Sequence, residues 1–155
     1  MKVPPLPAIV IDSNEVAHGH NWTFTGFDTQ VANLYTGDYS LQGHETQVTV
    51  ERKTKADWYG CLAGPRGKGC RRFRDCLGRL ALFESPCIVI EAGLDDLAIQ
   101  PARSSRVAAH SIGAYISWSQ EFRIQIIPAP SREWAERCAL RWLQAYWRHH
   151  HLPKP

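Results

Sequence analysis

Two short runs of strand-like composition, Tyr39-Ser40-Leu41 and Gln47-Val48-Thr49-Val50, flank Gly43-His44-Glu45-Thr46, whose small and polar residues suit a turn. The segment predicts a β-hairpin, and the hairpin constrains the chemistry around it. If Gln42 pairs with Gln47 across a four-residue loop, Asp38 falls opposite Glu51. Directly opposed residues on one face of an antiparallel pair have Cβ atoms roughly 4.5–5.5 Å apart, so two carboxylates there repel unless a positive group lies between them. Because side chains alternate along a strand, Lys53 shares the face of Glu51, while Arg52 turns to the other face with Val48 and Val50. A divalent cation is the natural partner of such a pair. Mg²⁺ takes one or two carboxylates and completes its shell with waters and phosphate oxygens, leaving an open site. A metal so held can acidify water and neutralise charge on a phosphodiester. An isolated Glu-x-Lys triplet is more often a solvated surface hairpin, and the residues around this one decide against that reading.

Gly37-Asp38, followed by Glu51-Arg52-Lys53 and by Asp57, resembles the GD…ERKxxxD signature of the XPF-type structure-specific nucleases, a branch of the restriction-endonuclease-like superfamily. Ile9-Val10-Ile11-Asp12-Ser13-Asn14-Glu15 is similar to that family's opening strand, which usually ends in Asp-x-Arg-Glu. Trp22-Thr23-Phe24 resembles the Trp-x-Phe of short bacterial and phage-type members, and Arg72-Phe73-Arg74-Asp75-Cys76-Leu77-Gly78-Arg79-Leu80 resembles the RFxEQxxRL helix. The blocks occur in the family's order and cover about residues 8 to 91. Asn14 stands where the family usually has Arg, Asp75 where Glu is frequent and Cys76 where Gln is common. Many relatives also carry a tandem helix-hairpin-helix module, whereas this chain stops soon after its last helix. Residues 1–155 therefore read as a single XPF-type nuclease domain with no helix-hairpin-helix module.

The resemblance implies a metal-dependent DNA endonuclease using Mg²⁺ or Mn²⁺, with products carrying a 5′-phosphate and a 3′-hydroxyl. It implies branched DNA (flaps, forks or junctions) as substrate, in repair or recombination. Asp38 and Glu51 would hold the metal with the backbone carbonyl of Arg52, and Asp12, ending the first buried strand, is the candidate third acid. Lys53 would orient the attacking water and stabilise charge on the phosphate. Glu15, Arg52 and Asp57 are supporting residues, with Arg52 and Arg72 assigned to ion pairing or phosphate contact. Relatives dimerise through this domain, so a homodimer is expected, and a separate DNA-binding or nuclease partner protein is compatible with the pattern. Two other readings stay open. One is a non-catalytic DNA-binding or scaffolding subunit of a nuclease complex, against which the retention of Asp38, Glu51 and Lys53 argues. The other is a phage-type nuclease acting on linear or single-stranded ends, which the missing helix-hairpin-helix module favours.

Charge placement points to the same class of partner. The formal net charge is only +3, but between Arg52 and Arg79 nine basic residues stand against two acidic ones. Such a cluster attracts polyanions by counterion release. Lys55, Arg66, Lys68, Arg71, Arg72 and Arg74 are the candidate DNA contacts, and the stretch Gly60 to Gly69, with four glycines and a proline, reads as a flexible DNA-contacting loop. At 155 residues, with 44% apolar content and six Trp, the chain supports one domain with a real core. No apolar run approaches the roughly 20 residues needed to span a bilayer, so an intracellular, cytoplasmic and nucleoid-associated location is expected, with no membrane partner. Five cysteines without a CxxC pair read as reduced thiols rather than a disulfide framework or zinc knuckle. His18 and His20 read as solvated, His149-His150-His151 as a basic helix end, and Glu91 is left outside the catalytic set.

The order of elements predicts an α/β fold with a restriction-endonuclease-like core, a central mixed β-sheet flanked by α-helices. Strands are expected at Ala8–Asp12, in the hairpin, at Cys87–Glu91 and at Arg123–Ile127. Helices are expected over Lys55–Leu62 and Arg71–Glu84, from Ser104 or Ser105 towards Glu121, and after Ser131. On the last helix Trp134, Cys138, Trp142 and Tyr146 form the expected apolar stripe, wide enough with Trp147 to serve a dimer interface.

Overall fold

The computed structural model describes residues 3–62, 68–98 and 105–152. The strands are β1 (Ile9–Asp12), β2 (Thr29–Ala32), β3 (Tyr39–Leu41), β4 (Val48–Thr54), β5 (Ser85–Glu91) and β6 (Gln125–Pro128), and they form one six-stranded sheet in the order β2-β1-β3-β4-β5-β6. β1 runs parallel to β2 and antiparallel to β3; β3 is antiparallel to β4, and β4, β5 and β6 are parallel. The helices are α1 (Ser13–Ala17), α2 (Lys55–Leu62), α3 (Lys68–Leu80), α4 (Leu94–Ala98), α5 (Ser105–Phe122) and α6 (Arg132–His151). The mixed sheet with helical flanks is the architecture the sequence predicts.

Each face of the sheet carries its own apolar cluster. Ile9, Ile11, Tyr39, Leu41, Val48, Val50 and Val89 pack with Trp22 and Phe24 and with Ala135, Ala139, Leu143 and Tyr146 of α6. On the opposite face, Ile88, Ile90 and Ile126 pack with Trp58 of α2, Phe73, Leu77 and Leu80 of α3 and Trp118 of α5. Strand β5 is covered on both faces, which is why Cys87-Ile88-Val89-Ile90 is an unbroken apolar run rather than an alternating one. Pro86 is tolerated within β5 because the pairing with β6 begins only at Cys87.

Tyr39 pairs with Val50, which places Asp38 opposite Glu51 as expected, but Gln42 and Gln47 do not pair: Gln42 N–H goes to Ala8 O and Gln47 N–H to His44 O, so the connection runs over residues 42–47 rather than four residues. Other boundaries differ. Helix α3 starts at Lys68 rather than Arg71, so the end of the anticipated glycine-rich loop is helical; residues 63–67 lie outside the described residues. It ends at Leu80, where backbone turns over residues 81–83 replace the last expected turn of helix. Elements α1, β2 and α4 are additions, each only four or five residues long and too short for periodicity to reveal. On α6 the expected stripe is present but not its centre: Tyr146 is buried and Cys138 and Trp142 are partly buried against the same core, with the deepest positions one residue further along at Ala135, Ala139 and Leu143. The buried positions are Ala135, Ala139, Leu143 and Tyr146, while Trp134 is 52% exposed. Small alanines let the helix approach the sheet closely, and the larger Trp134 is left on the rim. Cys76, Cys87 and Cys138 are free thiols. Among the described residues, no helix is long and apolar enough to cross a membrane.

Candidate active site

Gly37 makes the approach to the site possible. Its φ is +84°, and a Cβ added there would lie 1.8 Å from Thr49 Oγ1, so only glycine fits the turn that delivers Asp38 onto β3 beside β4. Asp38 N–H donates to Val50 O at 2.9 Å, and Asp38 O accepts from Asp12 N–H at 2.8 Å. Registers Ile11↔Tyr39 and Tyr39↔Val50 then align Asp12, Asp38 and Glu51 in a row across β1, β3 and β4 on one face of the sheet.

The three acids are engaged differently. One oxygen of Asp38, Oδ2, accepts the backbone N–H of Arg52 at 2.7 Å. Burial pushes its pKa well above the usual carboxylate range, and the nearby charges of Glu51 and Glu15 push it further; the Arg52 amide and Lys53 oppose this. Glu51 Oε1 accepts from the ammonium of Lys53, two residues along the same strand face. Burial works against charge on Lys53, but Glu51 more than compensates and holds the ammonium above the ordinary lysine range. The same ammonium lies 5.6 Å from the centroid of the Phe73 ring of α3. Asp12, the candidate third acid, spends its carboxylate on the backbone: Oδ2 accepts Asn14 N–H at 3.1 Å as the N-cap of α1, and Oδ1 accepts Leu34 N–H at 2.8 Å. Among the described residues, no group of three or more His, Cys, Asp or Glu side chains is arranged to hold a metal ion. Asp38 and Glu51 together offer two carboxylates, the donor type of a hard cation, and a divalent ion would relieve their mutual repulsion.

On the opposite face of the same strands, Arg52 anchors the site from behind. Its Nε and NH2 donate to the two oxygens of Glu91 at 2.8 and 3.1 Å, and NH1 donates to Glu15 at 3.2 Å. Glu91 also accepts from Trp22 Nε1 and from Arg132 NH1, each at 3.0 Å. Arg132 in turn donates to the carbonyls of His20 and Asn21, tying the loop before β2 to the start of α6. Tyr39 Oη donates to Glu15 at 3.2 Å, and the Trp22 and Tyr39 rings stack with centroids 4.8 Å apart. Glu91 and Arg132 are thus members of the site's support that the sequence reading did not select.

Asp57 has a different task from the acids of the row. Its Oδ2 accepts both the backbone N–H and the hydroxyl of Thr54, while Asp57 N–H donates to Thr54 Oγ1 at 3.1 Å. This reciprocal cap starts α2 immediately after Lys53 and fixes where β4 ends. Of the expected DNA contacts, Arg71 and Arg72 are exposed on α3. Lys55 pairs with Asp96 at 3.5 Å, and Arg74 pairs with Glu121 and lies 5.2 Å from the Phe122 centroid. Arg66 and the side chain of Lys68 lie outside the described residues.

The ERCC4 domain family matches residues 11–149. The chain belongs to the ERCC4-domain family. Searched against curated proteins, the sequence finds no match. Among solved structures, the domain is similar to XPF from Aeropyrum pernix, with a TM-score of 0.68 and 19% identity over 92% of this chain and 66% of that chain. At that identity the likeness speaks for the fold, and this ERCC4 domain spans slightly under two thirds of the XPF chain's length. The XPF-type nuclease architecture that the four sequence blocks imply is thus established, and the Gly37-Asp38 and Glu51-Arg52-Lys53 blocks converge on one sheet face and its support.

Proposed function

We propose that this ERCC4 domain is a Mg²⁺- or Mn²⁺-dependent DNA endonuclease acting on branched DNA. The observation that carries the reading is the opposition of Asp38 and Glu51 with Lys53 on the same sheet face. Asp38 and Glu51, with the backbone carbonyl of Arg52, would hold the cation, which when bound acidifies water and neutralises phosphate charge. Lys53, kept protonated by Glu51, is a donor rather than a general base: it orients the attacking water and the phosphate oxygens and stabilises the charge that develops on them. Water adds to phosphorus and the bond to the 3′-oxygen breaks, leaving a 5′-phosphate and a 3′-hydroxyl. Asp12 acts on this reading as a positioning residue, through the backbone of Leu34 and Asp38. Arg71 and Arg72 supply phosphate contacts on the α3 side. A groove of about 690 Å³ beside α6, lined by Phe27, Ile127, Trp134, Cys138 and Trp142 among others, is where we place a second copy of the chain.

The test is incubation of the purified protein with labelled single-stranded, duplex, flap and junction DNA, with and without Mn²⁺. Metal-dependent cleavage strongest on flaps or junctions is the expected result. Cleavage confined to linear ends would replace the branched-DNA reading with that of an end-acting nuclease, and DNA binding without cleavage would make the domain a scaffold.

A further inference from the structure

Tyr35 is 92% exposed, more than any other large apolar side chain among the described residues, and it lies three positions before Asp38. An exposed ring on a loose loop would carry no meaning, but the backbone around this one is fixed on both sides. Leu34 is buried and its N–H is held by Asp12 Oδ1 at 2.8 Å. Thr36 is buried and its carbonyl accepts from Thr49 Oγ1 at 3.2 Å. Gly37 packs against Thr49, and the carbonyl of Asp38 is held by Asp12 N–H. Asp12 thus grips the segment at both ends, by its side chain at Leu34 and by its backbone at Asp38. Amphipathic rings on surfaces ordinarily lie along their neighbours; this one stands in solvent on a clamped backbone.

We propose that Tyr35 is a stacking platform for an unpaired base next to the phosphate that Lys53 orients beside Asp38 and Glu51. The proposal rests on the DNA reading above and narrows its substrate. Three residues of extended chain span at most about 11 Å, so the Tyr35 and Asp38 Cα atoms are no farther apart than that. Stacked bases are about 3.4 Å apart along a strand, which puts the ring within a few nucleotides of the scissile bond. Aromatic rings stack on any base, but a paired base within a duplex has both faces covered by its neighbours; the ring is available only to an unpaired one. The site therefore favours DNA that is single-stranded at or beside the cut, which is what a flap or fork offers and an intact duplex does not.

The experiment uses oligonucleotide flaps carrying 2-aminopurine at successive single-stranded positions, titrated without metal so that binding is read apart from cleavage. Quenching of the probe is expected at one or two adjacent positions. Tyr35→Ala and Tyr35→Leu should abolish that quenching and raise Kd roughly 5- to 150-fold, the range of one lost stacking contact. Tyr35→Phe should keep both. With Mn²⁺, the loss in the Ala variant should appear in KM more than in kcat. Unchanged quenching and affinity in Tyr35→Ala, while the wild-type protein binds and cleaves flaps, would overturn the stacking proposal alone. Tyr35-dependent quenching without cleavage of any DNA would overturn the endonuclease reading and leave the stacking proposal standing, and absence of DNA binding both without metal and with Mn²⁺ would overturn both.

Discussion

Arg52 holds Asp38 with its backbone and is itself held by its side chain: its N–H donates to Asp38 Oδ2 at 2.7 Å while its guanidinium spans Glu91 and Glu15 on the other face of the sheet. The alternation of a strand makes this possible, because one residue can present its amide in the ladder plane and its side chain to the far face. Arg52→Ala leaves two largely buried carboxylates without their shared cation, and breaking such a pair typically costs about 3–5 kcal/mol. Denaturant unfolding should show a loss of that order. Arg132→Ala, which removes the exposed partner of Glu91, should cost about 1 kcal/mol or less. Equal losses in the two variants would mean that the guanidinium of Arg52 is not the hub.

Asp38→Asn and Glu51→Gln should each abolish metal-dependent cleavage and leave the fold intact, since each keeps its size and loses an anionic donor. The metal-free protein provides a second readout. The folded state binds a proton at Asp38 more tightly than the unfolded chain, whose value is near the ordinary 3.8. Stability without metal therefore falls as pH rises from the ordinary carboxylate range through the raised pKa of Asp38. Asp38→Asn should remove that slope and raise the melting temperature at neutral pH. Thermal melts in chelator across pH 4 to 8, compared with the wild type, decide the point.

Lys53→Ala should lower kcat roughly 10²–10³-fold, the scale of losing one preorganised charge-stabilising donor. Metal affinity should change little, because Lys53 touches Glu51 and the Phe73 ring rather than serving as a ligand. A variant with weakened Mn²⁺ affinity and an unchanged saturated rate would reverse that assignment.

The relation of Asp38, Glu51 and Lys53 was legible in the sequence because it depends on the pairing of two strands close in the chain, and the parity of that pairing holds although the connection is two residues longer than its turn residues suggest. The partners of Arg52 were not, since Glu15 and Glu91 are 37 and 39 residues away and nothing local couples them. Asp57 was visible by position but not by role; its bonds go to Thr54, so the spacing in the ERKxxxD block includes a helix start as well as the candidate site. Asp12 shows the reverse: strand parity puts it on the correct face, yet two backbone amides claim the oxygens that parity alone leaves free. On α6 Tyr146, Cys138 and Trp142 meet the core as expected, but Trp134 does not, because hydrophobicity ranks it above Ala135, whereas close packing on a sheet favours the smaller side chain.

Gly37→Ala should destabilise the fold by more than the roughly 1–3 kcal/mol of a non-glycine residue held at positive φ, because the new Cβ would also collide with Thr49 Oγ1. The two contributions separate in a double variant. Thr49→Ala removes the hydroxyl, so Gly37→Ala/Thr49→Ala should recover part of the loss relative to the sum of the single variants, and the backbone strain should remain. Strict additivity in denaturant melts would show that the collision is relieved some other way.

Arg71 and Arg72 test whether the α3 side lies on the DNA path. Both are exposed, whereas Arg74 is tied to Glu121 and Phe122 and Lys55 to Asp96. Replacing Arg71 and Arg72 together by Ala should weaken duplex binding and flatten the plot of log K against log salt by up to about 0.9 per lost phosphate contact. Cleavage at saturating DNA should survive, since neither residue belongs to the acid pair or to its Arg52 support. Arg74→Ala should change the slope far less, because its charge is already partnered. Should Arg74→Ala flatten the slope as much as the double variant, the Glu121 pair must open on binding and α3 meets DNA by its Phe122 side; unchanged slopes in both would move the path off α3 altogether.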